Sequence, residues 1–180
     1  MFRVFRGFRG STPVTTETTE YTERTDRNFI LNRENETMAI QMNPYLNFDG
    51  NSEEAFNFYK SVFGGDFAVV MRFGDNPQCD QMTEDDKKRI MHIALPIDGG
   101  GMLMATDALE SMGQTLNVGN NFYISLSPST REDADRIFNG LSADGKVEMP
   151  MSDQFWGYFG SFTDKFGVQW MLNVGNGQPV

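Results

Sequence analysis

The chain has 180 residues, a formal charge of −10, 39% hydrophobic and 13% aromatic side chains. That apolar content suits one packed domain, or two small halves sharing a core, and argues against wholesale disorder. An acidic chain with no Lys/Arg cluster repels polyanions, which argues against nucleic acid as a partner, and no run of about 18 apolar residues is present to cross a membrane. The sole cysteine, Cys79, forms no intramolecular disulfide; this fits a reducing compartment, so a cytoplasmic protein is expected. Cys79 lies in GDNPQCDQ, where acids flank it and no cation lowers its pKa, so it reads as an incidental loop thiol.

In chain order, residues 1–37 are rich in Thr, Arg and Glu, and their six Arg balance six acids, so the net charge lies downstream. Without hydrophobic periodicity this segment is expected to be a low-complexity disordered tail, or an upstream-start artefact with the true beginning at Met38. From 38 to 180 the pattern becomes regular and predicts a single domain of two modules, about 40–107 and 119–175. Tyr45–Phe48 alternates as a strand, and Ser52-Glu53-Glu54 opens a helix whose apolar residues Ala55, Phe58, Tyr59, Val62 and Phe63 recur at helical spacing until Gly64-Gly65. Three strand-like runs follow, at 67–73, 89–97 and 101–106. The order then repeats: a strand at Tyr123–Leu126, Thr130 as a helix cap, a stripe of Ala134, Ile137, Phe138 and Leu141, and runs at 146–151, 158–162 and 169–174. Ala55, Phe58, Tyr59 and Val62 align with Ala134, Ile137, Phe138 and Leu141 at a constant offset of 79 residues. Short strands without a helix between each pair argue against a doubly wound fold.

Several separate stretches carry a family likeness: NPYLNFDGNSEEAFNFYKSVFGG, RIMHIALPI, MLMATD and FWGYFGSFTDKFGVQWMLNV. In that order they resemble the PhnB-like branch of the vicinal-oxygen-chelate (glyoxalase/bleomycin resistance/dioxygenase) superfamily, over roughly residues 40–174. The resemblance implies an α+β fold, two tandem βαβββ modules forming a U-shaped eight-stranded mixed sheet around a cavity. It also implies a homodimer, since such modules pair across chains. The superfamily spans lyases, ring-cleaving dioxygenases, thiol transferases and drug-sequestering proteins, so the fold chooses no chemistry.

Catalytic members of that superfamily hold a divalent metal with His and Glu on the first and last strands of each module, because imidazole and carboxylate bind such ions with positions left open for substrate oxygens. Carried onto this chain, those positions fall on Asn43, Met104, Asn121 and Met171, with Met42 as the neighbouring alternative at the first. Thioethers are soft ligands, useful mainly for Cu(I). The expectation is therefore a degenerate site with no metal and no cofactor. The sequence also offers no glycine-rich strand-to-helix loop for a methyl-donor cofactor, and Gly99-Gly100-Gly101 reads as a turn.

What remains is a small-molecule pocket of aromatic and polar residues: Tyr45, His92, Asp107, Phe155, Trp156, Phe159, Gln169 and Trp170. Gly157 and Gly160 would allow close backbone approach beside them. Aromatics on short strands serve the core as often as a pocket, which applies to Trp156 and more strongly to Trp170. In RIMHIALPI, alternation would put His92 on one face with Ile90 and Ala94, as a structural histidine or as a weak candidate for a catalytic donor or base, with Asp107 as its possible acid. The expected function is binding of a small, partly hydrophobic molecule without a superfamily-type metal. The alternatives are a metal-dependent lyase or dioxygenase with non-standard ligands, or an antibiotic-sequestering resistance protein.

Overall fold

The computed structural model describes residues 41–175; the segment 1–37, with its tail and start-site readings, lies outside the described residues. In β1 (Tyr45–Phe48), Leu46 and Phe48 are buried while Tyr45 and Asn47 are exposed, the period-2 pattern of a sheet covered on one face. The helix α1 (Ser52–Phe63) buries Ala55, Phe56 and Tyr59. It stops where Gly64 and Gly65 take φ of +81° and +75°, a left-handed conformation that costs glycine little. At its N-terminus Asn51 makes no side-chain cap bond. The carboxylate of Asp107 substitutes, accepting the Ser52 N–H at 3.0 Å and the Ile90 N–H at 2.8 Å.

Next come β2 (Val69–Arg72), two single-turn 3-10 segments, and a short helix α2 (Glu84–Lys88) capped by Thr83, whose hydroxyl accepts the Asp86 N–H. The first module closes with β3 (Ile90–Ile97) and β4 (Gly101–Asp107). The second consists of β5 (Ile124–Leu126), α3 (Arg131–Leu141), β6 (Lys146–Gln154), β7 (Gly157–Thr163) and β8 (Gln169–Gly175). Thr130 caps α3 by accepting the Asp133 N–H at 3.1 Å, as its sequence position suggests. The eight strands form two four-stranded mixed sheets, ordered β1-β4-β3-β2 and β5-β8-β7-β6. In each, the module's first strand runs parallel to its last and the other pairings are antiparallel. This is the tandem βαβββ arrangement.

One hydrophobic core serves both modules. The repeat positions match in depth: Ala55 and Ala134 are fully buried, Tyr59 and Phe138 are buried, and Phe58 and Ile137 are half-buried against them. Each large side chain so buried contributes roughly 1.5–3 kcal/mol relative to its exposed state. Gly160 on β7 lets α3 approach closely, since a Cβ there would lie 2.8 Å from the Phe138 ring and 2.6 Å from the Met151 sulfur.

A polar contact also joins the modules. Asp164, buried in the β7–β8 turn, accepts the Tyr59 hydroxyl at 2.8 Å, Trp170 Nε1–H at 2.9 Å, and the N–H groups of Phe166 and Val168 at 2.8 and 3.0 Å. Burial, followed by the Asp164 charge and hydrogen bond, pushes the Tyr59 phenol far above its ordinary pKa.

Two strands differ from their predicted extents by more than one residue at an end. β2 is shorter because the register slips between Met71 and Arg72 and Phe73 turns inward to be buried in a 3-10 turn. β6 is longer, pairing with β7 as far as Gln154, with slips on both sides of Met149 and Pro150 within it.

Replacing Asp164 with Ala strands four donors, three of them buried and the Phe166 N–H partly so, at about 1–3 kcal/mol for each buried unsatisfied group. In urea denaturation Asp164→Ala is therefore expected to lose far more stability than Tyr59→Phe, which removes one donor and costs about 1 kcal/mol. Because the folded-state pKa of Tyr59 is raised, its contribution is complete below the unfolded phenol value near 10 and declines as pH rises above it. Tyr59→Phe is expected to remove that part of the alkaline destabilisation.

Candidate functional site

Sheet register decides which side chains share a face. On the first sheet, the pairs Tyr45–Met104, Ala94–Met104, Val69–Ala94 and Met71–His92 place all these residues on the side opposite α1. Tyr45 reaches across β4 to His92. Its hydroxyl oxygen lies 3.1 Å from His92 Nδ1, and the rings stack with centroids 5.7 Å apart at 17°. Burial raises the Tyr45 pKa, so the hydroxyl remains protonated and can donate to Nδ1. With Nδ1 engaged by the tyrosine, the other ring nitrogen, Nε2, is left pointing away from it.

A cleft of about 360 Å³ adjoins Tyr45 along β1 and does not include His92 in its lining; its size is within the usual range of small-molecule sites. Tyr45 forms one wall. Apolar lining comes from Leu116, Val118, Phe122 and Phe166, and polar lining from Asn47, Asp49 and Asn51. β1 is an edge strand. The carbonyls of Pro44, just before β1, and of Phe48 accept the N–H groups of Met104 on β4 and of Ala108 just after it, so by alternation the main-chain groups of Tyr45 and Asn47 point away from β4 and toward the cleft.

The second sheet repeats the design with different chemistry. Ile124 pairs with Trp170 as Leu46 pairs with Ala105, so Tyr123 takes the place of Tyr45. Its hydroxyl donates to Glu148 at 2.6 Å, and the Thr163 hydroxyl donates to the other Glu148 oxygen at 3.0 Å. The hydrogen bond from Tyr123 holds the Glu148 carboxyl below its ordinary pKa and raises that of the phenol.

The residues expected at the site disperse. Tyr45 and His92 come together. Asp107 is not the acid of His92, because it is buried on the α1 side of β4 and bound to Ser52 and Ile90. Trp170 is core rather than pocket, 1% exposed and hydrogen-bonded to Asp164. Gln169 is buried and donates to the carbonyls of Gly119 and Phe122 at 3.2 and 3.0 Å, which fixes the linker wall of the cleft instead of lining it. Phe155 and Trp156 sit at the exposed β6–β7 turn, stacked edge-to-face with one another and continuing to Phe159. They do not line the cleft. The face assignment of His92 also changes. Ile90 is buried with Ile93 in the core, because the slip opposite Met71 and Arg72 leaves Met91 without a register partner and resets the alternation. Leu116, Val118, Phe122, Tyr123 and Glu148 were missed. The internal repeat could have singled out Tyr123, whereas the linker residues carry no periodic signal.

The metal positions of the resembled family do not assemble a suitable donor set. Asn43 Oδ1 accepts the Met102 N–H at 3.1 Å, Asn121 is exposed, and Met104 and Met171 offer half-buried thioethers on different sheets. Among the described residues no three His, Cys, Asp or Glu side chains gather. This donor chemistry does not fit a divalent ion held as in the superfamily's enzymes. No helix among the described residues is long and apolar enough to cross a membrane.

Comparison with known proteins agrees with this architecture. Residues 41–172 match the family model of the glyoxalase/bleomycin resistance protein/dioxygenase superfamily. The chain is 34% identical over 148 residues to Protein YjdN of Escherichia coli K12, covering 77% of this chain and 98% of that protein. It is 38% identical to the solved structure of protein PA1353 from Pseudomonas aeruginosa, with a TM-score of 0.67, covering 76% of this chain and 98% of the other. A PhnB protein structure from Bacillus cereus is 26% identical with a TM-score of 0.61, covering 76% of this chain and all of that one.

The Tyr45–His92 geometry makes a spectroscopic prediction. Long-range ¹H–¹⁵N correlation at pH 8 is expected to show the Nε2–H tautomer of His92, and Tyr45→Phe to return it to a mixture. An Nδ1–H tautomer in the unmodified protein would contradict the donor assignment.

Proposed function

Because the chain belongs to the glyoxalase/bleomycin resistance protein/dioxygenase superfamily, in its PhnB-like branch, we propose that it binds a small, partly hydrophobic molecule in the cleft beside β1, without a divalent ion held in the superfamily manner. The cleft itself carries this reading: about 360 Å³, with apolar walls at Leu116, Val118, Phe122 and Phe166 and with Tyr45, Asn47 and Asn51 along β1 and its turn. An apolar chamber with few polar groups selects by shape and orients its occupant through those groups. The outward main-chain groups of Tyr45 and Asn47 add donors and acceptors, and Asn47 and Asn51 add carboxamides.

A second copy of the chain is part of this proposal. Met149 and Trp156 on the second module are exposed by 39% and 44%, and exposed apolar side chains of that size are suited to cover by a partner. Light scattering is expected to give about twice the 20.4 kDa chain mass; the mass of one chain would reject the pairing.

A thermal-shift screen of small aromatic and aliphatic compounds tests the binding claim. A true ligand at about 100 times its Kd stabilises the protein by roughly 2.7 kcal/mol, and Val118→Asp, on an exposed wall of the cleft, is expected to abolish the shift while leaving the unliganded melting temperature unchanged. A hit that survives Val118→Asp would place binding elsewhere.

A further inference from the structure

We propose that the face of the first sheet opposite α1 holds a soft monovalent d¹⁰ cation, Cu(I) or its analogue Ag(I), between His92 Nε2 and the thioether sulfurs of Met71 and Met104. Met71 is the direct cross-strand partner of His92, and Met104 is the partner of Ala94, one pleat along on the neighbouring strand. Directly opposed side chains start about 5 Å apart and diagonal ones about 7–8 Å apart, separations that a flexible methionine spans. Met71 is 40% exposed, which leaves an entry path.

The chemistry of this face selects the ion. The residues that register places around His92 are Val69, Met71, Ala94, Met104, Thr106, Tyr45 and Asn47, and none of them is a carboxylate. A hard divalent ion therefore finds no anionic oxygen, whereas thioether and neutral imidazole suit Cu(I). Tyr45 completes the arrangement. Its hydroxyl already engages Nδ1, leaving Nε2 as the outward nitrogen. On binding, the Nε2 proton is lost to solvent and Nδ1 takes one up, so that Nδ1–H donates to the Tyr45 oxygen and Nε2 ligates the cation. There is no net proton release, and Tyr45 becomes the outer partner that fixes the imidazole. The site needs no organic ligand, so it stands or falls separately from the reading of the cleft.

The test uses the full chain carrying Cys79→Ser, since the lone thiol is a competing Cu(I) ligand, titrated anaerobically with Cu(I) against a chromophoric chelator. A single Cu(I) per chain is expected, with affinity reduced by Met71→Leu and by Met104→Leu, which conserve volume, and lost in the double variant. Tyr45→Phe is expected to weaken binding about tenfold. With Ag(I), the methyl signals of Met71 and Met104 and the Nε2 signal of His92 should shift, while Zn(II) leaves them in place. Binding that disappears with Cys79→Ser alone, binding unchanged in the folded Met71→Leu/Met104→Leu variant, or an equal response to Zn(II) would each overturn the proposal.

Discussion

A buried carboxylate without a cation sets the terms for this fold. Leaving a charge out of water is tolerable only when every lone pair is engaged, and Asp164 meets that condition with four donors: two main-chain N–H groups from its own turn, an indole from β8 and a phenol from α1. Three of the four lie within its own module, and the fourth, Tyr59, belongs to the other. The aromatic cluster around it, with Tyr59 against both Trp170 and Phe166, has a registration that apolar packing alone would leave looser. Asp107 plays a smaller version of this role, tying the start of α1 to the start of β3.

The use of both aspartates in structure explains the character of the remaining surface. The faces opposite the helices keep thioethers, hydroxyls, carboxamides and one polar pair per module. The duplicated tyrosine shows how the halves diverged from a common plan: Tyr45 meets an imidazole and Tyr123 meets a carboxylate. The same position thus meets an imidazole on one sheet and a carboxylate on the other.

Much of the architecture was legible in the sequence because it is written in periodicities. The alternation of Tyr45–Phe48, the helical stripe of Ala55 to Val62 and its copy 79 residues later, the cap at Thr130 and the glycine stop at Gly64 all act locally, and local rules read them. Strand ends were less legible where register slips, as at Met71/Arg72; that single irregularity moved Ile90 to the core side and misassigned the company of His92. The site was legible only in part. Tyr45 and His92 could be suspected as polar aromatics on strands, but their contact depends on a side chain crossing an intervening strand. Trp170, Asp107 and Gln169 looked like pocket residues because buried polar and aromatic groups have the same composition whether they line a cavity or fasten a core. The linker residues Leu116, Val118 and Phe122 have no repeat counterpart, and only tertiary folding brings them to β1.

The outer border of the second sheet has a consequence for behaviour at high concentration. Among the described residues β6 is a nine-residue strand with one side unpaired, long enough to recruit a like strand from another molecule and seed cross-β growth. Pro150 removes a donor from the middle of that border, and the slips around Met149 twist the row of free groups out of line. Lys146, Glu148 and Asp153 add charges of both signs along its length. This border strand therefore carries its own obstruction to fibre formation, which a substitution such as Pro150→Val would remove without touching the core.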